Sequence, residues 1–515
     1  MIRRWPLFAF ALVSLCGHTR ATALPPAVLK PDALHQHVTY FNGMENETVV
    51  NVVPNDKSEA WLAANIPLFE CPNAEVEEMY YFRWWALRKQ LRQTADGHFV
   101  FTEFSNRADP ISSALGHHLM EGRWLRDPQY HDSYVQWWLR GNHGGPQTNL
   151  HNYSSWFAYA LYQRYLVTHD KKSLTDLLDD LIADYALWDQ QRQLPNGMYW
   201  QFDVRDAMEE SISGSRTKKN IRPTINSYMF GNAQAIAAIA RLADKPDVAA
   251  TFDKKAADLK ALVQKNLWDA DAKFFEVVEE PEGTFSNARE EIGFIPWYFE
   301  LPDKNAGYEA AWAQLTDPKG FNAPFGITTA ERRNPAFRSH GTGNCEWDGA
   351  VWPFATSQTL TALGNVLRDY PQNFVTAHDY YDAFLTYVKS QRLDGHPHIG
   401  EYLDETTGAW LIKASKAERS RWYNHSTFSD LLITGLIGLR PRDDETLELN
   451  PLLPDKTWNW FCLDGVVYHG RSLTILWDQD GEHYKHGKGL TVMADGKAFA
   501  HSDTFGPLKV ELPKQ

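Results

Sequence analysis

The chain has 515 residues, 43% of them hydrophobic and 23% charged, with a formal charge of −14. That length exceeds one small core and suits one large domain with one or two smaller ones, and the composition is globular rather than disordered or collagen-like. The negative charge argues against nucleic acid as a partner, and beyond the N-terminus no uninterrupted apolar run reaches membrane-spanning length.

Residues 1–23 read as a secretory signal peptide. Arg3 and Arg4 form the charged start, Trp5 to Leu15 the short apolar stretch, and Ala21-Thr22-Ala23 the cleavage site. Its removal takes away Arg3, Arg4 and Arg20 and no acid, moving the charge from −14 to −17. The expected location is therefore secreted or periplasmic. The cysteines, Cys16, Cys71, Cys345 and Cys462, are widely spaced with no CxxC. No zinc site follows from them, and one disulfide among the last three stays open.

Residues 24–75 read as an irregular lead segment, and residues 76–440 as mainly helical. Apolar residues recur at helical spacing over Ser154–Leu166, Leu174–Leu187, Asn232–Leu242 and Phe252–Leu267. Polar, aromatic segments precede the apolar helices at 102–110, 149–156, 222–233, 289–297, 345–357 and 422–435. About six such units predict a ring of helical hairpins, an (α/α)6 toroid, with the ends of its inner helices around one pocket. After residue 441 the texture becomes that of a strand over Val466–Trp477, with turns at Asp478–Gly481 and Asp495-Gly496. A small C-terminal β-sandwich over 441–515 is expected. Asp478–Gly481 is also similar to the opening of a calcium loop, but no Glu follows at the right place.

The chain has no HExxH, P-loop, GxSxG or GxGxxG. Zinc hydrolysis, nucleotide use and the serine-hydrolase elbow lose their usual markers, and no cofactor or metal is expected. Adjacent His117 and His118 diverge on a helix and do not make a metal pair. What remains are carboxylates within aromatic segments. Glu209 lies in an acidic loop with Asp206 and Glu210, where like charges raise a carboxyl pKa. Glu401 lies in a polar loop ending at Thr406-Thr407-Gly408. Paired carboxylates are the working parts of glycoside hydrolysis, one protonating the leaving oxygen and the other activating water or attacking.

These segments resemble those of (α/α)6 glycoside hydrolases related to family 63, including mannosylglycerate hydrolase, and of trehalases. Ala207-Met208-Glu209-Glu210-Ser211 resembles their general-acid segment, with Glu where the family has Asp, so that Glu210 is a fallback. Glu401-Tyr402-Leu403-Asp404-Glu405-Thr406-Thr407-Gly408 resembles the string at their general base. Glu346-Trp347-Asp348-Gly349-Ala350-Val351-Trp352 resembles a sugar-binding segment in which Asp348 replaces Arg. Glu78–Trp85, Gly116–Trp124 and Tyr468–Arg471 are similar in pattern to secreted bacterial enzymes of this clan, including a β-L-arabinofuranosidase family.

The resemblance implies inversion, while the substrate of those families does not carry over. The reading that follows is a secreted exo-acting hydrolase, if the pocket is closed, of oligo- or polysaccharide, on an α-glucoside, α-mannoside or arabinofuranoside. Glu209 is then the acid and Glu401 the base. The expected substrate-binding residues are Asn106, Arg107, Asp109, Arg222, Asn226, Tyr228, Trp347, Asp348, Trp352, Tyr423 and His425. Glu346 is a candidate third acid, and at least one of Trp84 and Trp85 belongs to the core. Two rivals stand beside this reading. A polysaccharide lyase would use Tyr423 and Asn424-His425, and a sugar-binding protein would have no turnover.

Overall fold

The computed structural model describes residues 27–107, 109–341, 345–411 and 421–514. The expected signal peptide, residues 1–23, lies outside them. Six inner helices form a ring: α1 (Leu115–Gly122), α2 (Phe157–Thr168), α3 (Pro223–Leu242), α4 (Ile295–Tyr298), α5 (Pro353–Asp369) and a last segment of α- and π-helix at 429–436. Consecutive members pack side by side. The ring closes where the buried carboxylate of Glu121, in α1, accepts N–H bonds from Phe428, Ser429 and Asp430 at 2.9, 2.8 and 3.0 Å. Arg123 Nε then meets Asp430 Oδ1 at 2.8 Å. Proline near the start of α3, α4 and α5 presets φ where the helix has no partner for an N–H.

Each inner helix follows an outer helical segment: 74–90, 129–140, 178–192, 246–266, 308–314 and 377–390. The outer-to-inner connections are long, 91–114 and 391–428 among them, and the six polar segments lie in them or at the start of the helix that follows. The inner-to-outer turns are short, as at 243–245. This asymmetry sets every long connector at the N-terminal ends of the inner helices. The toroid predicted from the six-fold pattern is the one observed.

Two parts differ from the sequence reading. The lead segment is not irregular, because it forms helices over Asp32–Gly43 and Asn55–Asn65 that pack on helix 74–90. Trp85 of that helix lies against Phe41 and donates to Asn42 Oδ1 at 2.8 Å, and Trp84 and Trp85 are both fully buried. The stretch 466–477 is two strands rather than one. His469 and Gly470, at φ 47° and 73°, make a two-residue turn between Trp460–Tyr468 and Arg471–Asp478. The C-terminal β region is a five-stranded antiparallel sheet and a two-stranded ribbon (Thr446–Leu449 with Leu508–Glu511). The edge strand of that sheet, Leu68–Glu70, comes from the lead segment and pairs Leu68 with Asp464. Cys71, Cys345 and Cys462 are all free thiols. Among the described residues no helix is long and apolar enough to cross a membrane.

Candidate active site

Glu209 stands in the third connector, 193–222. Its neighbours Ala207 and Glu210 have φ 59° and 61°, left-handed conformations that cost a non-glycine residue roughly 1–3 kcal/mol and persist only where the surroundings impose them. Those surroundings are visible. Asp206 accepts from Ser154 Oγ (2.6 Å) and Arg222 Nε (2.7 Å), and also from Thr224 Oγ1. Buried Glu290 holds Ser213 on the far side of the loop. Gly214 is required here, because a Cβ would lie 2.6 Å from Asp203 Oδ2. The loop is thus fastened at both ends, and the partly buried Glu209 is presented between them.

Burial pushes the Glu209 carboxyl up to about 7, and the negative charges of Asp203 and Glu401 push the same way. Glu401 is therefore close enough for its charge to be felt at Glu209. It is 9% exposed, in the last connector. Leu403, two residues on, bridges to both Val351 and Trp410, which ties the Glu401 loop to the fifth connector. Trp347 N–H donates to the Glu209 carbonyl at 3.4 Å, so the third and fifth connectors also meet.

Tyr423 marks the centre of the cluster. Burial and then the charges of Glu103, Glu401 and Glu209 push its phenol well above its usual value. Its Oη lies 2.5 Å from His425 Nδ1, and His425 Nε2 lies 3.3 Å from Ser113 Oγ. Burial keeps His425 neutral far below its ordinary range, so its approach to Glu103 (3.7 Å) is not an ion pair at neutral pH. Glu103 is paired with Arg107 instead, at 2.6 Å. The aromatic wall continues through Trp352, which stacks on Trp347 (4.5 Å) and on Tyr402 (4.6 Å, 12° between planes).

The sequence-derived residues divide into three groups. Glu209, Glu401, Tyr423, His425, Trp347, Trp352 and Arg107 converge. Asn106 and Asp109 are exposed on the first connector, with Arg92 the charge that Asp109 acts on. The remaining four each bond within the protein through at least one polar atom, while the buried Arg222 Nη1 and Asp348 Oδ1 have no partner among the described residues. Arg222, fully buried, anchors Asp206. Asn226 closes three bonds to backbone, accepting from Tyr199 N–H and donating to the carbonyls of Tyr199 and Arg222. Tyr228 accepts from Gln358 Nε2 at 2.9 Å. Asp348, fully buried, accepts the His340 N–H at 2.8 Å. All four hold the site's walls.

Glu346 is no third acid either, because Arg338 neutralises it and reaches Asp404 and Glu405 at 3.6 Å as well. His117 and His118 face different neighbours, His117 between Trp156 and Phe354, His118 against Tyr134 and the Asn424 carbonyl. Sequence reasoning passed over Glu103, Tyr153 and Tyr402. The Glu103–Arg107 pair forms within a non-helical turn, so helical spacing gave no signal for it. Tyr153, pushed up by burial and by Glu209 and Glu103, sits inside a quoted segment. Two buried donors in the cluster, Asn424 Nδ2 and Trp347 Nε1, have no acceptor among the described residues. Donors of that kind suit sugar hydroxyls.

A helical toroid with carboxylates and stacked aromatics at its connector end defines a carbohydrate-active hydrolase. Residues 108–426 match the family described as the mannosylglycerate hydrolase MGH1-like glycoside hydrolase domain, and the chain belongs to that family. Residues 439–501 match the glycosyl hydrolase family 65 C-terminal domain. A solved structure titled sialidase superposes with a TM-score of 0.92 at 50% identity, over 94% of this chain and 45% of that one. This chain thus spans less than half of that protein. The GH63 mannosylglycerate hydrolase from Thermus thermophilus in complex with glucose superposes at TM-score 0.52 and 13% identity, covering 69% of this chain and 98% of its own. The GH78 rhamnosidase of Bacillus sp. GL1 gives 0.58 at 13%, covering 80% and 40%. At that identity these two establish the fold. An uncharacterized protein of Borreliella burgdorferi is 23% identical over 314 residues, 59% of this chain and 61% of its own length.

Proposed function

We propose that the protein is an exo-acting, inverting glycoside hydrolase that removes a neutral terminal sugar from an oligo- or polysaccharide. Glu209 protonates the leaving oxygen and Glu401 activates the attacking water. The observation that carries this reading is the pair itself. Glu209 is held protonated to about pH 7 in a site that also contains Glu401, the division of labour that general acid and general base require. The near-burial of both carboxylates beneath the connectors fits a pocket that takes a chain end.

Mechanistically, the sugar ring lies against the aromatic wall, with Asn424 Nδ2 and Trp347 Nε1 donating to its hydroxyls. The Glu209 proton passes to the glycosidic oxygen as the C–O bond breaks. Glu401 accepts a proton from the water that adds on the opposite face, and the products leave with the anomeric configuration inverted.

The name of the 50% identical structure raises an anionic sugar as an alternative. The charges oppose it. Glu401 adds a negative charge to the cluster, Glu209 is protonated there, and Arg107 and Arg338 are already spent on Glu103 and Glu346. A substrate carboxylate would find repulsion there and, among the described residues of the cluster, no free bidentate cation. The same shortage weakens the lyase reading, which needs a neutraliser for a uronate and a basic Tyr–His pair; here His425 is neutral and Tyr423 is held strongly protonated. Export through residues 1–23 belongs to the same proposal and matches a polymer-degrading role outside the cytoplasm.

A proton-NMR time course over α-glucosides, α-mannosides, arabinofuranosides and sialosides tests it. A monosaccharide of inverted configuration, appearing first with wild type and absent with Glu401→Gln, supports the assignment. A retained configuration, or turnover confined to sialosides, overturns it.

A further inference from the structure

Away from the carboxylate pair, α2 ends against the β region at an open cavity of about 420 Å³ lined by Thr168, His169, Glu445, His469, Gly470 and Arg471. His169 is the left-handed C-cap of α2, at φ 57°. His469 comes from the two-residue turn between strands, and its N–H closes on the Val167 carbonyl at 2.9 Å. Glu445 sits just before the strand Thr446–Leu449. Three ligand-type atoms from three elements, one from each side chain, all lie within 4.8 Å of one another.

The hydrogen bonds fix which atoms these are. His469 Nε2 lies 3.1 Å from the carbonyls of Leu166 and Arg442, and His169 Nε2 lies 3.3 Å from that of Asp443. Carbonyls only accept, so in the neutral rings both Nε2 atoms carry the proton and both Nδ1 atoms are acceptors. Each Nδ1 faces Glu445 Oε1, at 3.4 Å for His169 and 3.7 Å for His469. Arg471 Nη2 holds the other carboxylate oxygen at 2.9 Å. Acceptors are thus turned toward acceptors. Distances near 3.4 Å are long for hydrogen bonds, yet match the ligand-to-ligand edge, roughly 3.4 Å, of a tetrahedron with metal–ligand bonds of about 2.1 Å. A ring N–H on a main-chain carbonyl, with the other nitrogen turned inward, is also how metal-binding histidines are oriented.

We propose that His169, His469 and Glu445 bind one divalent transition ion, of which zinc best suits two imidazoles and a carboxylate, with the fourth position open to the cavity. The ion staples the C-terminus of α2 to the β region. The two rings now stack in parallel at 4.2 Å, and parallel rings cannot aim both lone pairs at one ion. Binding therefore turns the His169 ring, whose side chain is 31% exposed, out of the stack while the buried His469 stays.

The test is calorimetric titration of the full chain, stripped with a chelator, with zinc chloride alone. His169→Asn keeps a residue that tolerates the left-handed conformation, and Glu445→Gln keeps the side-chain shape. The exposed His486→Asn is the control. Wild type and the control bind a single zinc per chain, with a Tm that rises with zinc concentration. His169→Asn and Glu445→Gln keep the metal-free circular dichroism spectrum but bind zinc roughly ten- to a hundred-fold more weakly or not at all. Absence of saturable binding to wild type overturns the proposal. So does binding that both variants retain, since the ion then sits elsewhere.

Discussion

The two ends of the inner ring are built from the same helices and carry opposite chemistry. At the N-terminal ends, long connectors gather Glu103, Glu209, Glu346 and Glu401 with an aromatic wall. At the C-terminal ends, the turns are short and arginines fill the space. Arg368 donates to the carbonyls of Asn450, Thr434 and Gly435 at 2.8, 2.7 and 2.9 Å, and Arg440 pairs with Asp369 at 2.9 Å. A cavity of about 240 Å³ opens there, lined by Arg123, Arg368 and Arg440. The helix dipoles point the same way, positive toward the carboxylate end and negative toward the arginine end. Connector length separates the two ends, because the N-terminal end has the longer chain to place side chains over the opening. The arginine end holds the ring together.

That comparison is sharpened first by the carboxylates. Glu401→Gln and Glu209→Gln should each lower kcat by about 10²–10⁴-fold with the fold intact, read by steady-state kinetics beside circular dichroism. The Glu209→Gln loss should shrink on substrates whose leaving group needs no proton. The opposite end should behave in reverse. Arg368→Met leaves three carbonyls without their donor and should cost about 2–4 kcal/mol of stability in denaturant unfolding, while kcat per folded molecule stays near wild type. A large kcat loss there would break the division between the ends. The smallest effect belongs to Tyr402→Phe, which removes the acceptor of the Cys345 N–H (3.2 Å) and should cost about 1 kcal/mol without changing the product anomer.

Much of the toroid was legible because it repeats. Six polar segments, each followed by an apolar helix, mark six connectors, and local signals such as Pro223 and Pro353 mark where helices begin. The β region was legible in kind but not in pairing. Leu68 meets Asp464 across almost 400 residues, and nothing local announces it. The residues that converge in the candidate site were legible where they lie within one string, as with Glu209, Glu401 and Trp347–Trp352. It was misread where a residue's partner lies in another connector. Arg222 looked like a sugar ligand because Arg222, Ser154 and Thr224 are brought to the Asp206 carboxylate only by folding. Asp348 looked the same until His340 turned back on it.

In the proposed mechanism Glu209 enters the reaction protonated, because burial and neighbouring charge raise its carboxyl from 4.5 to about 7. The native protein holds this proton between about pH 4.5 and 7, where the unfolded chain has lost it, so the group's contribution to stability falls as pH rises through that window. Catalysis through the acid disappears above it. The decisive measurement is the pH dependence of kcat/KM for wild type and Glu209→Gln on a substrate whose leaving oxygen still needs a proton. Wild type should show a descending limb near pH 7 that the variant lacks. A limb that persists unchanged in Glu209→Gln would place the catalytic proton on another group and contradict the account.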